Sequence, residues 1–370
     1  MAEDLHNKQK NLAYTLSGVD TIKEEAALKG LILWIKKTWR ECTDIGVPQL
    51  PFGYFANVIN VSENLGIALS TDGVGTKILV AQMMDKYDTI GIDCVAMNVN
   101  DVICVGAKPL TMLDYIAVQD VDPHILEEIA KGLYTGAMIS KITIPAGEIA
   151  QIREMITGAK PDRGFDLVGT CVGIVPLDKI IIGQDIQEGD SLIGLRSSGI
   201  HSNGLTLARE VLFKKMGFRV DKHFNELNRT LGEELLEPTH IYVPEVMEIL
   251  NSDINMKALI HITGDGFLNL KRVASDVGYM IDFLPEPQPI FSLIQNFGRI
   301  PDEEMFRVYN MGIGFCLIVP ENEVDKTLDI ARKYVQAYRI GYAIRDETRK
   351  LIIKPKGLVG KGSRFFKESF

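Results

Sequence analysis

One stretch of this sequence constrains the fold more than any other: residues 88–107, DTIGIDCVAMNVNDVICVGA. The run is too long for one strand and carries apolar residues on every side, which is the pattern of a buried helix. A chain of 370 residues with 46% hydrophobic content has room for a core around such a helix, and its length indicates two domains.

Helix and strand patterns follow one another on both sides of this run. Apolar spacing predicts a helix over 21–40 and a second over Pro123–Ser140, for which Asp122 is the N-terminal cap. Strands are predicted, the first two as a hairpin, over residues 54–61, 65–72, 109–118, 142–150 and 165–175.

The pattern changes beyond Val175, where short strands and glycine turns begin. The sequence therefore predicts an α/β fold with mixed sheets, with domains over 1–175 and 176–345 that join near 175–180. Residues 345–370 carry eight Lys or Arg against three acids. We expect residues 346–370 to form a basic tail that is solvated and only partly ordered.

The charge balance argues against nucleic acid as a partner. The net charge is −9 and the pI is about 5.3, whereas duplex binding needs many Lys and Arg to neutralise phosphates. The N-terminus lacks the apolar core of a signal peptide, and no apolar run is long enough to span a membrane. The five cysteines include no CxxC pair, so we expect small buried thiols in a cytoplasmic protein.

Residues 70–77, STDGVGTK, have some features of a phosphate loop. A P-loop needs four residues between its first glycine and a Gly-Lys-Ser/Thr triplet, but Gly73 and Gly75 are only two apart and Ile78 follows Lys77. A nucleotide site must therefore rest on other features.

Acidic residues are the first of these features. They recur in or beside apolar elements, at Asp72, Asp93, Asp101, Asp114 and Glu148. Each acid alone is explained by a helix cap or a nearby lysine. Asp72 and Asp101 together, beside Asn98 and Asn100, favour a site for a hard cation such as Mg²⁺, because a carboxylate in an apolar run is costly unless it is paired or bound to a cation.

Residues 197–204, SSGIHSNG, combine hydroxyls, glycines, His201 and Asn203 just before a predicted helix. Backbone N–H groups at such a position can hold an anion, and the histidine can carry a proton. The alternative is a solvated turn. Residues 261–270, HITGDGFLNL, have a similar form, and there the alternative is a tight turn in which the glycines supply positive φ. These features indicate an α/β enzyme that binds a phosphorylated ligand with Mg²⁺.

Six segments together carry a closer resemblance. In order they are TDGVGTK at 71–77, GIDCVAMNVNDVICVGAKPL at 91–110, FDLVGTCVGIV at 165–175, SSGIHSNGL at 197–205, EPTHIYV at 237–243 and HITGDGF at 261–267. The ordered set resembles the phosphoribosylformylglycinamidine cyclo-ligase (aminoimidazole ribonucleotide synthetase) family of purine biosynthesis, in an archaeal-type branch. The resemblance covers nearly all of residues 15–345.

The resemblance implies a two-domain subunit whose N-terminal strands pair across a homodimer as a β-barrel, with ATP held near the N-terminal domain. It also implies the reaction, an ATP-dependent ring closure. The formyl oxygen of formylglycinamidine ribonucleotide is phosphorylated, a nitrogen of the same substrate attacks that carbon, and phosphate leaves as the imidazole forms. Phosphorylation is needed because an amide oxygen is a poor leaving group.

The resemblance also assigns residues. Asp72 and Asp101 would bind Mg²⁺, Lys77 would offset phosphate charge, and His201 would handle a proton, so His201, Asp101 and Lys77 are the catalytic candidates. The nucleotide side would consist of Asp72, Gly73, Gly75, Thr76, Lys77, Asn98, Asp101 and Glu148. The substrate side would consist of Ser198, His201, Ser202, Asn203, Thr263, Gly264 and Gly266.

Three positions depart from the family pattern. Ala146 and Ile149 stand where the family has a glycine and a threonine, and Asp265 replaces the middle glycine of a three-glycine turn. An extra carboxylate near a phosphate is unfavourable unless it meets a cation. These departures leave two alternatives open: a related ATP-dependent kinase or synthetase, and a catalytically silent paralogue that binds nucleotide.

Overall fold

The computed structural model describes residues 21–368, and its first sheet is built from the N-terminal half. The sheet has the strand order β1-β2-β5-β3-β4, in which only β3 and β4 are parallel neighbours. The predicted hairpin and the other three predicted strands are confirmed. The strands are β1 (Asn57–Asn60), β2 (Leu65–Gly73), β3 (Lys108–Val118), β4 (Thr143–Gln151) and β5 (Phe165–Pro176).

Four helices accompany this sheet: α1 (Thr21–Thr38), α2 (Lys77–Met84), α3 (Ile90–Ile103) and α4 (Pro123–Ser140). Helix α3 is the run of residues 88–107 singled out above, and it is buried on nearly every side. It crosses α4 at two glycines, where a Cβ on Gly91 would meet Leu133 N at 2.1 Å and a Cβ on Gly132 would meet Asp88 O at 2.5 Å. The close crossing requires glycine at both positions.

The second sheet is built from the C-terminal half and has eight strands in the order β15-β14-β13-β10-β12-β6-β11-β9. Neighbouring strands are antiparallel except β10 and β13. A separate hairpin joins β7 to β8. The strands are β6 (Ser191–Arg196), β7 (His223–Phe224), β8 (Arg229–Thr230), β9 (Ala258–His261), β10 (Val277–Ile281), β11 (Ile313–Val319), β12 (Ala337–Arg345), β13 (Leu351–Ile353), β14 (Leu358–Lys361) and β15 (Arg364–Lys367).

Short helices connect these strands. The α-helices are α5 (Leu205–Arg209), α6 (Leu231–Leu235), α7 (Val243–Leu250), α8 (Pro289–Gly298), α9 (Asp302–Val308) and α10 (Val324–Ala331). A π-helical turn spans Glu210–Lys215, and 3₁₀ turns span Trp39–Glu41, Leu177–Lys179, Gly266–Arg272, Glu321–Glu323 and Lys354–Lys356. The turn into α5 was predicted from the glycines at 199 and 204.

The basic segment after residue 345 corrects one expectation. We expected a solvated, partly ordered tail, but β13, β14 and β15 form one edge of the eight-stranded sheet. Leu351, Ile353, Leu358 and Phe365 are buried there. The lysines and arginines that suggested a tail alternate with these apolar residues, so their charges stay at the surface while the strands pack.

One face of the first sheet is apolar and open. Leu69, Leu113 and Tyr115 are 36%, 43% and 42% exposed, and the register places them opposite Val172, Thr170 and Val168 of β5 on the same face. The other face packs against α3, since a Cβ on Gly169 of β5 would meet the Asn98 side chain at 2.6 Å. We call the exposed side the outer face.

Two further expectations concern membranes and thiols. Among residues 21–368, no helix has the length and the apolar character that crossing a membrane requires. All five cysteines are free, and Cys94, Cys104, Cys171 and Cys316 are buried while Cys42 is exposed. The prediction that most of the thiols are small buried residues is therefore confirmed.

Candidate active site

Helix α3 positions the first candidate residue, Asp72, at the end of β2. Asn98 Oδ1 accepts a hydrogen bond from Asp72 N–H at 3.0 Å, and Asn98 Nδ2 donates to the Asp72 carbonyl at 3.1 Å. Asn98 also donates to Cys94 O within its own helix at 2.9 Å. The buried amide therefore fixes the backbone of Asp72, while the carboxylate Oδ1 of Asp72 accepts a hydrogen bond from Gly73 N–H at 2.7 Å.

Asp101 lies one helical turn after Asn98, and its charge reaches Asp72. Burial first, and then the negative charge of Asp101, raise the pKa of Asp72 to about 6. On its other side, Asp101 Oδ1 lies 2.9 Å from Nδ1 of His261, at the end of β9 in the C-terminal half. His261 is fully buried, and its Nε2 has no partner among the described residues.

This pair of carboxylates fits a Mg²⁺ site that is completed by its substrate. Within residues 21–368, no three His, Cys, Asp or Glu side chains converge into a metal-binding group. Mg²⁺ is commonly held by one or two carboxylates together with substrate phosphates and water. The repulsion that raises the pKa of Asp72 is the kind of unfavourable charge that a cation would relieve.

Lys77 is not at the surface of this site. It is the first residue of α2 and is completely buried, and its ammonium lies 2.8 Å from Asp93 Oδ1 and 2.5 Å from the carbonyl of Glu237. In this arrangement its charge is balanced by Asp93. Contact with a phosphate would require that ion pair to open or to be shared.

Of the two glycines between Asp72 and Lys77, only Gly75 has a backbone conformation that favours glycine. Gly75 has φ of +71°, a value that disfavours any side chain, and a Cβ there would meet nothing within 4 Å. Gly73 has an ordinary φ and only ordinary contacts around a Cβ. Thr76 links the two halves, because its Oγ1 lies 2.9 Å from Oγ1 of Thr206 in α5. The segment thus has open space at Gly75 and is anchored at Thr76.

His201 is buried in the turn before α5 and adopts φ of +67°, which is uncommon for a residue with a side chain. Its Nε2 accepts a hydrogen bond from Ser198 N–H at 3.2 Å, so the neutral ring carries its proton on Nδ1. Nδ1 has no partner among the described residues. Burial, and then the nearby charges of His261, Lys77 and His240, lower the pKa of His201 well below its ordinary 6.5.

The two substrate-side loops meet. A Cβ on Gly264 would lie 3.3 Å from Asn203 Oδ1, so the turn after β9 touches the turn before α5. Gly266 has φ of +54°, and a Cβ there would lie 2.2 Å from Phe306 O, so only glycine fits. The Thr263 carbonyl accepts from Gly266 N–H at 2.8 Å and closes the turn. Asn203, Thr263, Gly264 and Gly266 therefore form one neighbourhood.

Asp265, one of the departures from the family pattern, meets a cation. Its Oδ2 lies 2.9 Å from Nη2 of Arg272. Arg272 also lies over the ring of Phe55, with 5.1 Å between its guanidinium carbon and the ring centre. The extra carboxylate is therefore neutralised within the chain and linked to the segment before β1.

Glu148 and its two unusual neighbours lie apart from this group. Glu148 is exposed on β4 and opposite Tyr115, which places it on the outer face of the sheet. Asp72 pairs with Gly169, which faces α3 on the other side. Ala146 and Ile149 are also exposed on β4. The described residues give Glu148 no hydrogen bond or ion pair with another candidate.

Several polar residues of the site were given no linking role by the sequence analysis. His261, Thr239, Asn100 and Asp93 join the two halves through buried hydrogen bonds. Each lies inside one of the six segments that carry the family resemblance. Its linking role becomes visible only from its hydrogen-bond partner in the other half of the chain. Asp93 could have been predicted as a buried hydrogen-bonding residue, because it is an acid within an apolar helix.

Comparisons with known proteins identify the family and the fold. Residues 53–175 match the family described as AIR synthase related protein, N-terminal domain, and residues 187–354 match its C-terminal domain. Solved structures with a similar fold include thiamine monophosphate kinase from Aquifex aeolicus, with a TM-score of 0.60 and 16% identity, covering 87% of this chain and 95% of that one. E. coli HypE, a hydrogenase maturation protein, has a TM-score of 0.56 and 16% identity, covering 77% and 82%.

The sequence relatives are much closer. A phosphoribosylformylglycinamidine cyclo-ligase from Methanothermobacter thermautotrophicus is 46% identical over 319 residues, covering 86% of this chain and 91% of the relative. One from Pyrococcus horikoshii is 44% identical over 348 residues, covering 94% and 99%. The chain therefore belongs to the AIR synthase related family, and within it to the group of relatives named phosphoribosylformylglycinamidine cyclo-ligase.

Proposed function

We propose that the chain catalyses the ATP-dependent cyclisation of formylglycinamidine ribonucleotide to 5-aminoimidazole ribonucleotide, with release of ADP and phosphate. The observation that carries this proposal is the 46% identity to a named cyclo-ligase over 91% of that enzyme's length. The neighbours of known structure support the fold only, because they share less than 20% identity with this chain.

The reaction requires that ATP and the formyl amide of the substrate bind next to each other. The γ-phosphoryl group moves to the formyl amide oxygen, ADP leaves, and a nitrogen of the same substrate attacks the activated carbon. Inorganic phosphate then carries the former amide oxygen away. Positioning and charge neutralisation contribute most of the catalysis in such transfers, and the site offers both from buried groups.

Asp72 and Asp101 would hold Mg²⁺, which neutralises phosphate charge when it is bound. Asn98 fixes the backbone of Asp72, and His261 orients Asp101 by a hydrogen bond across the two halves. These contacts make the two carboxylates a prearranged pair, and Gly75 lies nearby where the backbone can approach a nucleotide without a side chain in the way.

The loops at 197–204 and 261–267 would face the second substrate. His201 presents an Nδ1–H donor that has no partner among residues 21–368, and its low pKa keeps it neutral at pH 7. His201 would therefore donate a hydrogen bond from Nδ1–H to a ligand oxygen, or transfer that proton to the ligand. Ser198, Ser202, Asn203 and Thr263 supply further polar groups in the two loops.

Glu148 and the outer face favour a homodimer. The exposed apolar side chains of β2 and β3 form a sheet surface that a second copy would cover, as the resemblance implies. Glu148 shares that face, so it would act near the subunit boundary. A cytoplasmic location is part of the same proposal, because it rests on the purine-biosynthetic reaction.

Purified protein incubated with ATP, Mg²⁺ and formylglycinamidine ribonucleotide tests the proposal. We expect 5-aminoimidazole ribonucleotide and ADP in equal amounts, and neither product without the substrate. ADP formed only with another phosphate acceptor would show a related kinase instead. Nucleotide binding without any turnover would show a silent paralogue.

A further inference from the structure

The buried carboxylate of Asp93 gathers donors from several parts of the chain. Its Oδ1 lies 2.8 Å from Lys77 Nζ, 2.8 Å from Thr239 N and 2.6 Å from Thr239 Oγ1. Ser202 Oγ is a weaker fourth donor at 3.4 Å. Asp93 and Lys77 are both completely inaccessible to solvent, so this cluster lies in the interior and not on the cleft surface.

These donors come from the segments that the proposed reaction must bring together. Lys77 ends the nucleotide-side segment 71–77, and Ser202 belongs to the substrate-side loop 197–204. Thr239 lies between them, with its hydroxyl 3.2 Å from that of Ser202. One oxygen atom of α3 therefore contacts both sides of the proposed site and the segment that joins them.

Residues 239–242, which include Thr239, form hydrogen bonds with α3 at a second position. Asn100 Nδ2 donates to His240 O at 2.9 Å, and Asn100 Oδ1 accepts from Tyr242 N–H at 2.9 Å. Asp93 and Asn100 are seven residues apart, two turns of one helix. The segment around Thr239 is thus hydrogen-bonded to α3 at two positions two turns apart. These bonds restrict how far the segment can slide along the helix.

Stability alone does not account for a charge in this position. A buried ion pair costs a large desolvation free energy, and apolar residues of similar size often stabilise an interior at least as well. Asp93 Oδ2 also has no hydrogen-bond partner within the described residues. Unlike an apolar group, the carboxylate forms directional contacts. Its three strong hydrogen bonds fix the positions of Lys77 and Thr239 relative to each other.

We propose that Asp93 is a positioning residue, which holds the nucleotide-side segment 71–77 and the substrate-side loop 197–204 in the relative placement that phosphoryl transfer requires. The inference rests on the proposed function for its catalytic consequence. Asp93 does not touch substrate in this account. It acts through Lys77 and through Thr239.

The sharpest test uses Thr239, because Asp93→Asn leaves the buried ammonium of Lys77 unpaired and endangers folding. Thr239→Val keeps the branched shape and removes the hydroxyl that donates to Asp93. Thr239→Ser keeps the hydroxyl and is the matched control. For each variant we would measure kcat, both KM values, the thermal midpoint and amide hydrogen exchange.

We expect Thr239→Val to lower kcat roughly 10- to 100-fold, since a misplacement of about 1 Å can have an effect of this size. Both KM values should change much less, and Thr239→Ser should stay within about threefold of the wild-type kcat. Amide exchange should rise in residues 71–77 and in residues 197–204 of the valine variant. A lower thermal midpoint with wild-type kcat would overturn the inference and leave Thr239 a structural residue.

The two proposals fail in different ways. If the wild-type protein makes no 5-aminoimidazole ribonucleotide, the proposed function fails, while the exchange measurement still decides the inference. Faster exchange confined to the residues beside Thr239 would contradict the proposed link between the two segments. Faster exchange in both segments for Val, but not for Ser, would support it whatever the substrate is.

Discussion

Asp101 Oδ1 lies 2.9 Å from His261 Nδ1, and this hydrogen bond crosses from the buried helix α3 to the end of β9 in the other half of the chain. Asp101 is thereby oriented by a residue that is 160 positions away in sequence. Burial, and then the negative charge of Asp101, raise the pKa of Asp72. The proposed Mg²⁺ site therefore depends on contacts from both halves.

Replacing Asp101 by Asn tests the metal role. The variant keeps the shape and one acceptor oxygen but removes a charge, so we expect kcat to fall at least about 100-fold. Folding should change little, because Asp101 is partly exposed. Circular dichroism and the thermal midpoint provide the control. A fully active variant would remove Asp101 from the site, and an unfolded one would make it a structural cap.

His261 offers a paired test of orientation. His261→Asn keeps a donor close to the position of Nδ1, whereas His261→Leu removes it and leaves Asp101 without this partner. We expect the leucine variant to bind Mg²⁺ together with ATP about 10- to 100-fold more weakly and the asparagine variant to lose much less. Calorimetric titration with and without Mg²⁺ measures both. Equal loss in the two variants would show that packing of the ring, and not its hydrogen bond, matters.

The ion pair of Lys77 and Asp93 makes a stability prediction. Lys77→Met leaves Asp93 buried and uncompensated, and breaking such a pair from one side typically costs about 3–5 kcal/mol. Lys77→Met combined with Asp93→Leu should recover much of that loss in free energy of unfolding, although not the activity. Urea unfolding of the single and double variants gives the comparison. Additive losses would mean that the two charges do not interact.

His201 predicts how stability changes with pH. Its pKa in the folded protein is well below 6.5, mainly because of burial, whereas in the unfolded chain it is ordinary. Protons therefore bind the unfolded state first as the pH falls below about 6.5, and the free energy of unfolding drops by up to about 1.4 kcal/mol per pH unit until the folded pKa is reached. Above pH 6.5 this contribution is fully present.

His201→Asn is the variant for this test, because Asn accepts positive φ and does not titrate. The difference in unfolding free energy between wild type and variant should shrink from pH 7 to pH 5. A difference that stays constant over this range would show that folding does not lower the pKa of His201. The same variant should lower kcat more than it weakens ATP binding, and an unchanged rate would remove His201 from the mechanism.

The outer face of the first sheet predicts self-association. Leu113→Glu places a charge in the centre of the exposed apolar surface and should yield single chains of 41.1 kDa by light scattering, where the wild type forms dimers. Tyr134→Glu is the matched control, since Tyr134 is 66% exposed on α4 and not on the sheet. A wild type that is itself monomeric would contradict the homodimer.

Much of this fold follows from local patterns in the sequence. The apolar run at 88–107 predicted α3, Asp122 predicted the start of α4, and short strand-like apolar runs predicted all five strands of the first sheet. The strands at 351–367 were missed, because their apolar runs are only two or three residues long and lie between lysines, arginines and glycines, and only pairing with β10 makes them part of a sheet.

The site was predictable as a set of segments but not as a set of contacts. The sequence pairs Asp72 with Asp101 because each is an acid in or at the end of an apolar element, with Asn98 and Asn100 beside Asp101. The burial of Lys77 and its partner Asp93 could not be predicted, since the ammonium is enclosed by residues 237–239 from the other half. Likewise, Arg272 neutralises Asp265 through a contact seven residues away that periodicity does not show.

Transfer of the formyl oxygen from substrate to phosphate is the decisive test of the proposed cyclisation. Formylglycinamidine ribonucleotide labelled with ¹⁸O in its formyl group is converted with ATP and Mg²⁺, and the released phosphate is examined by mass spectrometry. The account predicts one labelled phosphate and one ADP for every 5-aminoimidazole ribonucleotide formed. Unlabelled phosphate, or ADP released without the imidazole product, would contradict it.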